Sequence, residues 1–358
     1  MRKYYIDNIR NLGILLLFPF HTCMIYNGFE SFYVHGNVVK GCDNFILITG
    51  IWFMPLLFLL AGISSFYALQ KRSREKYLKE RFYKLLVPAF WGILLLVPIQ
   101  TYYAEKFHNN YKGGFLNQYV LFFTKPTDLT GYTGGFTPAH LWFLLYLFVI
   151  AVLALPLMVK LVNSNNRVIN WFNKPINVVL LFIIPFLASG ILEIGGKSLG
   201  AFFSFVLIGF LLCKQDKIFD MLERYRQLYL TISLLLTAVL YKIYYAYGWK
   251  AGLSAEAIAF SAFRHLLMWV SILTILGYGK KYLNFCNKLT NYFTKAAFPV
   301  YVFHQNWLIV IGYYILRVTN VFMLQFSSII LISFAASILT YEIFRRIPIT
   351  RFMFGIKK

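Results

Sequence analysis

The sequence is short of charged residues, which make up 13% of its 358 residues. A soluble globular domain carries roughly 25%, so this chain lacks much of the charge that keeps such a domain in water. Hydrophobic residues make up 59% of the chain and aromatic residues 20%. This composition excludes a soluble globular enzyme, a disordered chain and a small disulfide scaffold. What remains is a membrane protein with several spans.

Acidic residues are scarcer still, because 13 Asp and Glu stand against 35 Lys and Arg, a formal net charge of +22. In a soluble protein such an excess would indicate nucleic-acid binding. Here the basic residues lie mainly in short connections between apolar runs, where the preference of Lys and Arg for the cytoplasmic side of a membrane explains them. We therefore expect these basic residues to face a lipid bilayer, and we expect no nucleic acid as a partner of the protein.

Groups for metal, redox or nucleotide-driven chemistry are also few. The four cysteines show no CxxC or zinc-site spacing, although a Cys23–Cys42 disulfide stays open. The six histidines are scattered and no carboxylates cluster near His21, so we expect no metal site. The sequence contains no P-loop and no GxGxxG element, so it has no motif that would support ATP-driven transport or nicotinamide chemistry.

Long apolar runs are the main feature that the sequence does have. A membrane span needs about 20 residues, and its backbone groups have to be satisfied within the segment, which favours helices. The predicted spans are residues 9–28, 44–69, 85–103, 138–159, 177–193, 198–213, 228–247, 261–278, 296–316 and 325–344. The fifth and sixth are short and are either two helices or one broken element. We predict an all-α, polytopic transmembrane helix bundle of about ten spans that forms one integral domain over residues 1–358.

Basic residues set the expected orientation of these spans. Of the 35 Lys and Arg, 26 lie on one side of the predicted spans and 8 on the other, with Lys242 inside a span. The richer side holds both termini, which places both in the cytoplasm. The first apolar run has no small-residue cleavage site and is expected to be retained as a span. The longest connection, about 104–137, then lies outside as a lid, an acceptor-binding surface or an inert linker.

The first span carries ionisable residues at helical spacing. Arg10 and His21 are eleven residues apart, which puts them on one helix face, separated by about 16 Å along the axis. An ionisable group near mid-membrane is costly and usually marks a pathway or a site. Histidine is also suited to proton transfer near neutral pH. The alternative is a packing histidine with a snorkelling arginine.

Five segments in order resemble the acyltransferase-3 family of bacterial membrane acyltransferases. Arg10, ten intervening residues and His21 match the R-x10-H pattern of that family. The other four segments are WFMPLLFLLAGISSFYAL (52–69), KERFYKLLVP (79–88), PAHLWFLLYL (138–147) and AAFPVYVFHQ (296–305). The resemblance covers essentially the whole chain, and its Met-Pro and Pro-Ala-His-Leu-Trp elements look most like the glucan-modifying (glucans biosynthesis protein C-like) branch.

The resemblance implies an acyl-CoA-dependent O-acyltransferase of a bacterial inner or plasma membrane. Acyl-coenzyme A would be used from the cytoplasm, and the acyl group, acetyl by default or succinyl for the glucan branch, would reach a hydroxyl of a cell-envelope glycan or glycolipid. His21 matches the family histidine, as general base or as carrier of the acyl group. Arg10 matches the family arginine, which would bind coenzyme A phosphates or polarise the thioester carbonyl. Asp7 would orient the guanidinium of Arg10, or form only a surface pair with it.

The basic element before the third span supplies two further expected coenzyme A contacts, Arg81 and Lys84. Lys84 stands where the family has arginine, so the charge is kept and the planar fork is lost; charge bias between membrane sides would also account for both residues. The candidates for binding the acceptor substrate are His140, Trp142, His304, Gln305 and Glu193. An aromatic belt is the alternative for the first two, whereas adjacent polar side chains within an apolar run favour a lining role for His304 and Gln305.

A transporter or flippase for a lipid-linked or polyol-like substrate is the alternative function, with His21 and His304 lining its path. It would move an unmodified substrate and tolerate His21→Gln, whereas the enzyme would depend on acyl-coenzyme A and lose turnover. A non-catalytic receptor or assembly partner is a third possibility.

Overall fold

The computed structural model describes residues 3–124, 135–162 and 171–357, and in these ranges the chain is almost wholly helical. This confirms the predicted all-α membrane helix bundle. The helices are α1 (Tyr4–Ile25), α2 (Lys40–Leu69), α3 (Arg74–Arg81), α4 (Val87–Leu95), α5 (Val97–His108), α6 (Phe115–Thr124), α7 (Trp142–Val162), α8 (Pro175–Val179), α9 (Ile183–Ala188), α10 (Leu199–Leu212), α11 (Asp216–Arg224), α12 (Arg226–Tyr247), α13 (Ala255–Tyr282), α14 (Lys288–Val318), α15 (Phe322–Phe344) and α16 (Pro348–Met353). A π-helical turn covers Phe82–Leu86, and 3-10 turns cover Ala139–Leu141, Trp171–Asn173 and Leu180–Phe182.

Six helical segments among the described residues are long and apolar enough to cross a membrane. They are Lys40–Leu69, Arg74–His108, Ala139–Val162, Arg226–Tyr247, Ala255–Tyr282 and Phe322–Phe344. The pair α10 and α11, bent by 100°, is a seventh if both belong to one span. The helices α1 and α14 reach spanning length, with 22 and 31 residues, but they are not among these six segments. The total of ten spans and the cytoplasmic termini stay predictions.

The predicted fifth and sixth spans are separate helices. The first is the short apolar segment Pro175–Ala188 and the second is α10, which has 14 residues. Between them, strands β1 (Glu193–Ile194) and β2 (Lys197–Ser198) pair antiparallel. Their two-residue turn is Gly-Gly with φ of 55° and 71°, the left-handed conformation that a tight hairpin turn requires and that glycine adopts without steric cost.

The third span begins earlier than the sequence indicates. The helices α3, α4 and α5 and the π-helical turn follow one another over Arg74–His108. Arg81 and Lys84 therefore lie within a helical segment that continues into the span. The basic element that the sequence places before the third span is therefore helical, because a helix can extend past the apolar run on residues with high helix propensity such as Arg, Lys and Glu.

The described chain divides into two compact units. The first comprises Met1–Arg10, Ile48–Tyr77 and Ile150–Cys286, and the second comprises Asn11–Leu47, Leu78–Val149 and Asn287–Lys358. Arg2, Arg167, Lys358 and residues 125–134 of the predicted outer connection, including Lys125, lie outside the described residues. All four cysteines are described and free, so the Cys23–Cys42 disulfide is not formed.

Within the first unit, α2 and α10 touch backbone to backbone. A Cβ atom on Gly62 would lie 2.0 Å from the carbonyl oxygen of Val206, and one on Gly209 would lie 2.1 Å from that of Leu59. Small residues permit this close approach of two helices in a membrane protein. The two glycines therefore fix the packing of this pair.

Within the second unit, α14 lies in the interior. Trp307 donates through Nε1 to Oγ1 of Thr340 on α15 at 2.9 Å. On the side of α1, Asn11 donates through Nδ2 to Oγ1 of Thr294 at 2.9 Å. Because α1 and α15 both pack against it, α14 has a buried polar segment, and His304 on that segment has no exposed surface.

Candidate active site

Three histidines from three separate segments meet in the second unit. His21 lies on α1, His304 on α14 and His140 in the 3-10 turn before α7. The ring of His304 has its centroid 5.3 Å from that of His21 and 5.2 Å from that of His140. The structure therefore brings together three of the residues that the sequence nominated. They are named here the histidine cluster.

The hydrogen bonds of His304 determine where its proton lies. Its Nδ1 is 2.5 Å from the carbonyl oxygen of Tyr301. A carbonyl oxygen only accepts, so Nδ1 carries the hydrogen and Nε2 of the neutral ring carries a lone pair. That Nε2 is buried and has no hydrogen-bond partner among the described residues. A buried polar atom without a partner is costly, which makes this nitrogen a candidate for contact with a substrate.

His140 is held from both sides. Its Nε2 donates to the carbonyl oxygen of Val302 at 3.0 Å, and the amide Nε2 of Gln100 lies 3.5 Å from its Nδ1. Gln305 in turn donates to Oε1 of Gln100 at 3.2 Å. Since both ring nitrogens of His140 have partners, this residue positions its neighbours and is poorly placed to exchange protons with a substrate.

The backbone next to His140 is strained. Ala139 has a φ of 47°, a left-handed conformation that costs an L-residue roughly 1–2 kcal/mol. Its amide donates to Oγ1 of Thr137 at 3.0 Å, and Tyr301 donates through its hydroxyl to the carbonyl oxygen of His140 at 2.6 Å. Such strain persists where surrounding contacts hold it, often at functional sites. Here it orients His140 towards α14.

His21 is half-buried and has an aromatic environment. Its ring stacks on Phe32 with centroids 6.0 Å apart and interplanar angle 15°, and the ring of Phe20 meets it edge-on at 5.4 Å. Its Nδ1 is buried and, within the described chain, has no hydrogen-bond partner. His21 and His304 are therefore neighbouring rings, each with one unsatisfied nitrogen.

Arg10 lies on the same helix as His21 but belongs to the first unit. Its guanidinium donates to Oδ1 of Asp7 at 2.7 Å, with the Arg10 side chain 35% exposed. The predicted Asp7–Arg10 pair is thus present. It holds the guanidinium on one side and leaves its remaining N–H groups for an anion.

Arg81 and Lys84 belong to the second unit, at the end of α3 and in the π-helical turn. Both are half-buried. The ammonium group of Lys84 lies beside that of Lys357, and Glu80 and Arg81 also act on it electrostatically. The positive charges of Lys84, Lys357 and Arg81 repel one another, and an anion bound among them would offset that repulsion. The arrangement is suited to binding phosphate.

The remaining acceptor candidates are distributed over both units. Gln305 is 3% exposed and joins the histidine cluster through Gln100. Trp142 starts α7, is 6% exposed and packs edge-on against Tyr146 at 5.2 Å. Glu193 lies in the first unit, exposed in strand β1.

Three residues of these sites were missed by the sequence reasoning. Gln100 is fully buried in an apolar run, a signal as informative as that of Gln305. Tyr301 gives no such signal, because tyrosines are common in this chain. Lys357 gives no signal in the sequence beyond its charge. In the described part of the chain, no group of three or more His, Cys, Asp and Glu has the arrangement to hold a metal ion.

Comparison with known proteins assigns this chain to a family. The family model described as "Acyltransferase domain" matches residues 3–342. Glucans biosynthesis protein C of Escherichia coli (strain K12) is 24% identical over 392 residues, which cover 99% of this chain and 95% of that protein. The protein of the same name from Escherichia coli O139:H28 (strain E24377A / ETEC) is 24% identical over 389 residues, with the same coverage. No solved structure matches.

The family match extends from Lys3, just before α1, into α15 and includes all three histidines of the cluster. The described helices include at least six that can cross a membrane. The chain therefore belongs to the acyltransferase family and is a multi-pass membrane acyltransferase.

Proposed function

We propose that this protein moves an acyl group from cytoplasmic acyl-coenzyme A to a hydroxyl of a cell-envelope glycan or glycolipid in a bacterial inner membrane. The observation that carries the proposal is the pair of unsatisfied ring nitrogens on His21 and His304. The family supplies the reaction class, and the printed name of the relatives, glucans biosynthesis protein C, supports a glycan acceptor. Acetyl is the default acyl group and succinyl the alternative.

The two nitrogens are complementary. His304 Nε2 carries a lone pair, so a hydrogen on His21 Nδ1 would satisfy both atoms, either directly or through one water. That hydrogen bond would leave the lone pair of His21 on Nε2. It would also stabilise the imidazolium that forms when His21 takes a proton, which is the logic of a base oriented by a third group.

In the proposed reaction, the acceptor hydroxyl oxygen attacks the carbonyl carbon of the thioester while His21 Nε2 takes the hydroxyl proton. The C–O bond forms, the C–S bond breaks, and the proton passes from His21 to the sulfur that leaves as coenzyme A. If His21 instead carries the acyl group, the same lone pair attacks the thioester first. The acceptor hydroxyl then attacks the acyl-imidazole.

Donor binding is proposed for Arg10, Arg81 and Lys84. The contact between Lys84 and Lys357 supports this assignment, since two neighbouring ammonium groups favour a bound phosphate. The donor thioester would lie about 16 Å along α1 from Arg10, at His21. Acceptor binding is proposed for His140, Trp142, His304, Gln305 and Glu193, of which Gln305 and His140 are joined by Gln100.

The test is transfer of a labelled acyl group in membranes that carry the protein or its His21→Ala variant. We expect label from acetyl-coenzyme A in the glycan or glycolipid fraction with the parent, and a loss of about 100-fold or more with the variant, because removal of a general base commonly costs this much. Equal label in both would remove His21 from the mechanism. If neither acetyl- nor succinyl-coenzyme A gave label, and unmodified substrate crossed the membrane, the protein would be a transporter.

A second readout separates the two roles of His21. If His21 carries the acyl group, label from acyl-coenzyme A stays on the protein when the acceptor is withheld. If it acts as a base, label appears only with acceptor present.

A further inference from the structure

A cavity in the first unit takes no part in the chemistry described so far. Its volume is about 600 Å³, which lies within the range of small-molecule sites. It lies where the start of α1 meets the end of α2 and the residues that follow α2. All of its lining residues belong to the first unit.

The inner part of the cavity is apolar. Ile6, Ile63 and Ala68 line it, and all three are buried. Tyr67, which is half-buried, adds an aromatic ring to the lining. A flat ring system fits such a surface, because aromatic side chains favour stacked contact with other rings.

The rim of the cavity is positively charged. Lys3, Lys71 and Arg72 line it, and among the described residues that line it Asp7 is the only acidic one. The carboxylate of Asp7 is already paired with Arg10 at 2.7 Å. Lys3 pairs with Asp216, whose side chain is 77% exposed. Burial by itself would lower the pKa of Lys3, but its hydrogen bonds to Asp216 and Tyr67 outweigh burial and raise the pKa, so the ammonium stays charged.

An apolar interior with a cationic rim is the arrangement that a phosphorylated nucleotide requires. Arginine matches phosphate oxygens with two parallel N–H bonds, and lysine supplies a mobile charge. The bias of basic residues puts Lys71 and Arg72 on the predicted cytoplasmic side, where acyl-coenzyme A is found.

We propose that this cavity binds the phosphorylated nucleotide end of acyl-coenzyme A, with phosphate against Lys71, Arg72 and Lys3 and the adenine ring against Tyr67. The inference rests on the proposed function, which supplies the donor. Coenzyme A carries several phosphate groups, so these contacts add to the donor contacts already proposed for Arg10, Arg81 and Lys84. An anionic phospholipid is the competing occupant, but it offers a single phosphate diester and no flat ring for Tyr67.

The test measures binding of coenzyme A, adenosine 3′,5′-bisphosphate and pantetheine to the purified full-length protein in nanodiscs of zwitterionic lipid. The variant is Lys71→Ala/Arg72→Ala, and the matched control is Arg74→Ala/Lys76→Ala. The control removes the same amount of positive charge from two exposed residues of α3 that do not line the cavity. A third variant, Tyr67→Leu, removes the ring and keeps an apolar side chain.

We expect the Kd of coenzyme A and of the bisphosphate to rise about tenfold or more in Lys71→Ala/Arg72→Ala, since two charge-assisted hydrogen bonds are lost. Pantetheine binding should not change, and the control should bind like the parent. Tyr67→Leu should weaken the bisphosphate as well.

If Lys71→Ala/Arg72→Ala bound coenzyme A as tightly as the parent, the proposed site would be wrong. Acyl transfer by the parent would still support the proposed function. Failure of the parent both to bind coenzyme A and to transfer label would overturn the proposed function, and the inference with it. If the double variant kept its affinity for coenzyme A and lost only the binding of phosphatidylglycerol added to the nanodisc lipid, the cavity would be a lipid site and the nucleotide assignment would be wrong.

Discussion

His304 has one ring nitrogen committed to its own helix and the other unsatisfied. Its Nδ1 is bonded to the carbonyl oxygen of Tyr301, and its Nε2 is buried without a partner in the part of the chain that the structure describes, while its ring centroid lies 5.3 Å from that of His21. A substitution that keeps one nitrogen and removes the other therefore separates packing from chemistry. Asparagine places an amide near the position of Nδ1, and glutamine places one near Nε2.

We predict that His304→Asn lowers the kcat for acyl transfer by about 100-fold, the usual scale for loss of a group that acts on proton transfer. His304→Gln should stay within about tenfold of the parent, because its amide oxygen can accept the hydrogen bond from His21. The measurement is labelled acyl transfer with KM for the donor determined for each variant. The KM should change little.

The melting temperatures of the two variants provide the control. Both remove the same ring from a fully buried position, so the two variants should melt close together. If His304→Asn were the more active of the two at equal stability, Nδ1 would be the important nitrogen and the proposed hydrogen bond to His21 would be wrong.

At the scale of elements, one helix pair is held by glycine and one span is longer than its apolar run. The α2–α10 contact leaves no room for a methyl group at Gly62. In the same helix, Gly41 has nothing within 4 Å of a Cβ atom. One helix therefore supplies both a test position and its control.

We predict that Gly62→Ala destabilises the protein by about 1–3 kcal/mol or more, because an added methyl group forces α2 away from the carbonyl oxygen of Val206. Gly41→Ala should be neutral or stabilise by up to about 1 kcal/mol through helix propensity. Thermal unfolding in one detergent compares the two. Equal melting temperatures for Gly62→Ala and the parent would show that the two helices are not in backbone contact.

At the scale of the whole molecule, the basic residues set the expected orientation. Cys286 lies between α13 and α14, among lysines that the sequence assigns to the cytoplasmic side, and it is exposed. Cys23, Cys42 and Cys213 are buried. A thiol reagent that cannot cross the membrane therefore reports mainly on Cys286.

We predict that such a reagent labels Cys286 in inside-out membrane vesicles and not in right-side-out vesicles, because the surplus of Lys and Arg keeps this connection in the cytoplasm. The control is Lys250→Cys in a Cys286→Ser background, which places the thiol on the predicted outer side. It should give the opposite pattern. Labelling of Cys286 in right-side-out vesicles would reverse the orientation.

The class of the protein, its helical character and the spacing of the residues in its first span follow from local sequence. Apolar runs require backbone hydrogen bonds to close within each segment, so helices follow from composition alone. The motif residues Arg10 and His21 share one helix face because helical spacing is local. The family resemblance rested on the same local segments, and the family match confirms it.

Which distant residues meet depends on how the helices pack against one another. His140 and His304 are 164 positions apart, and their contact depends on the strained turn at Ala139 and on α14 lying in the interior of its unit. The same holds for Gln100 with Gln305 and for Lys84 with Lys357. Apolar periodicity shows which residues enter a membrane, but side-chain packing between helices chooses their neighbours, and that choice is not contained in any one segment.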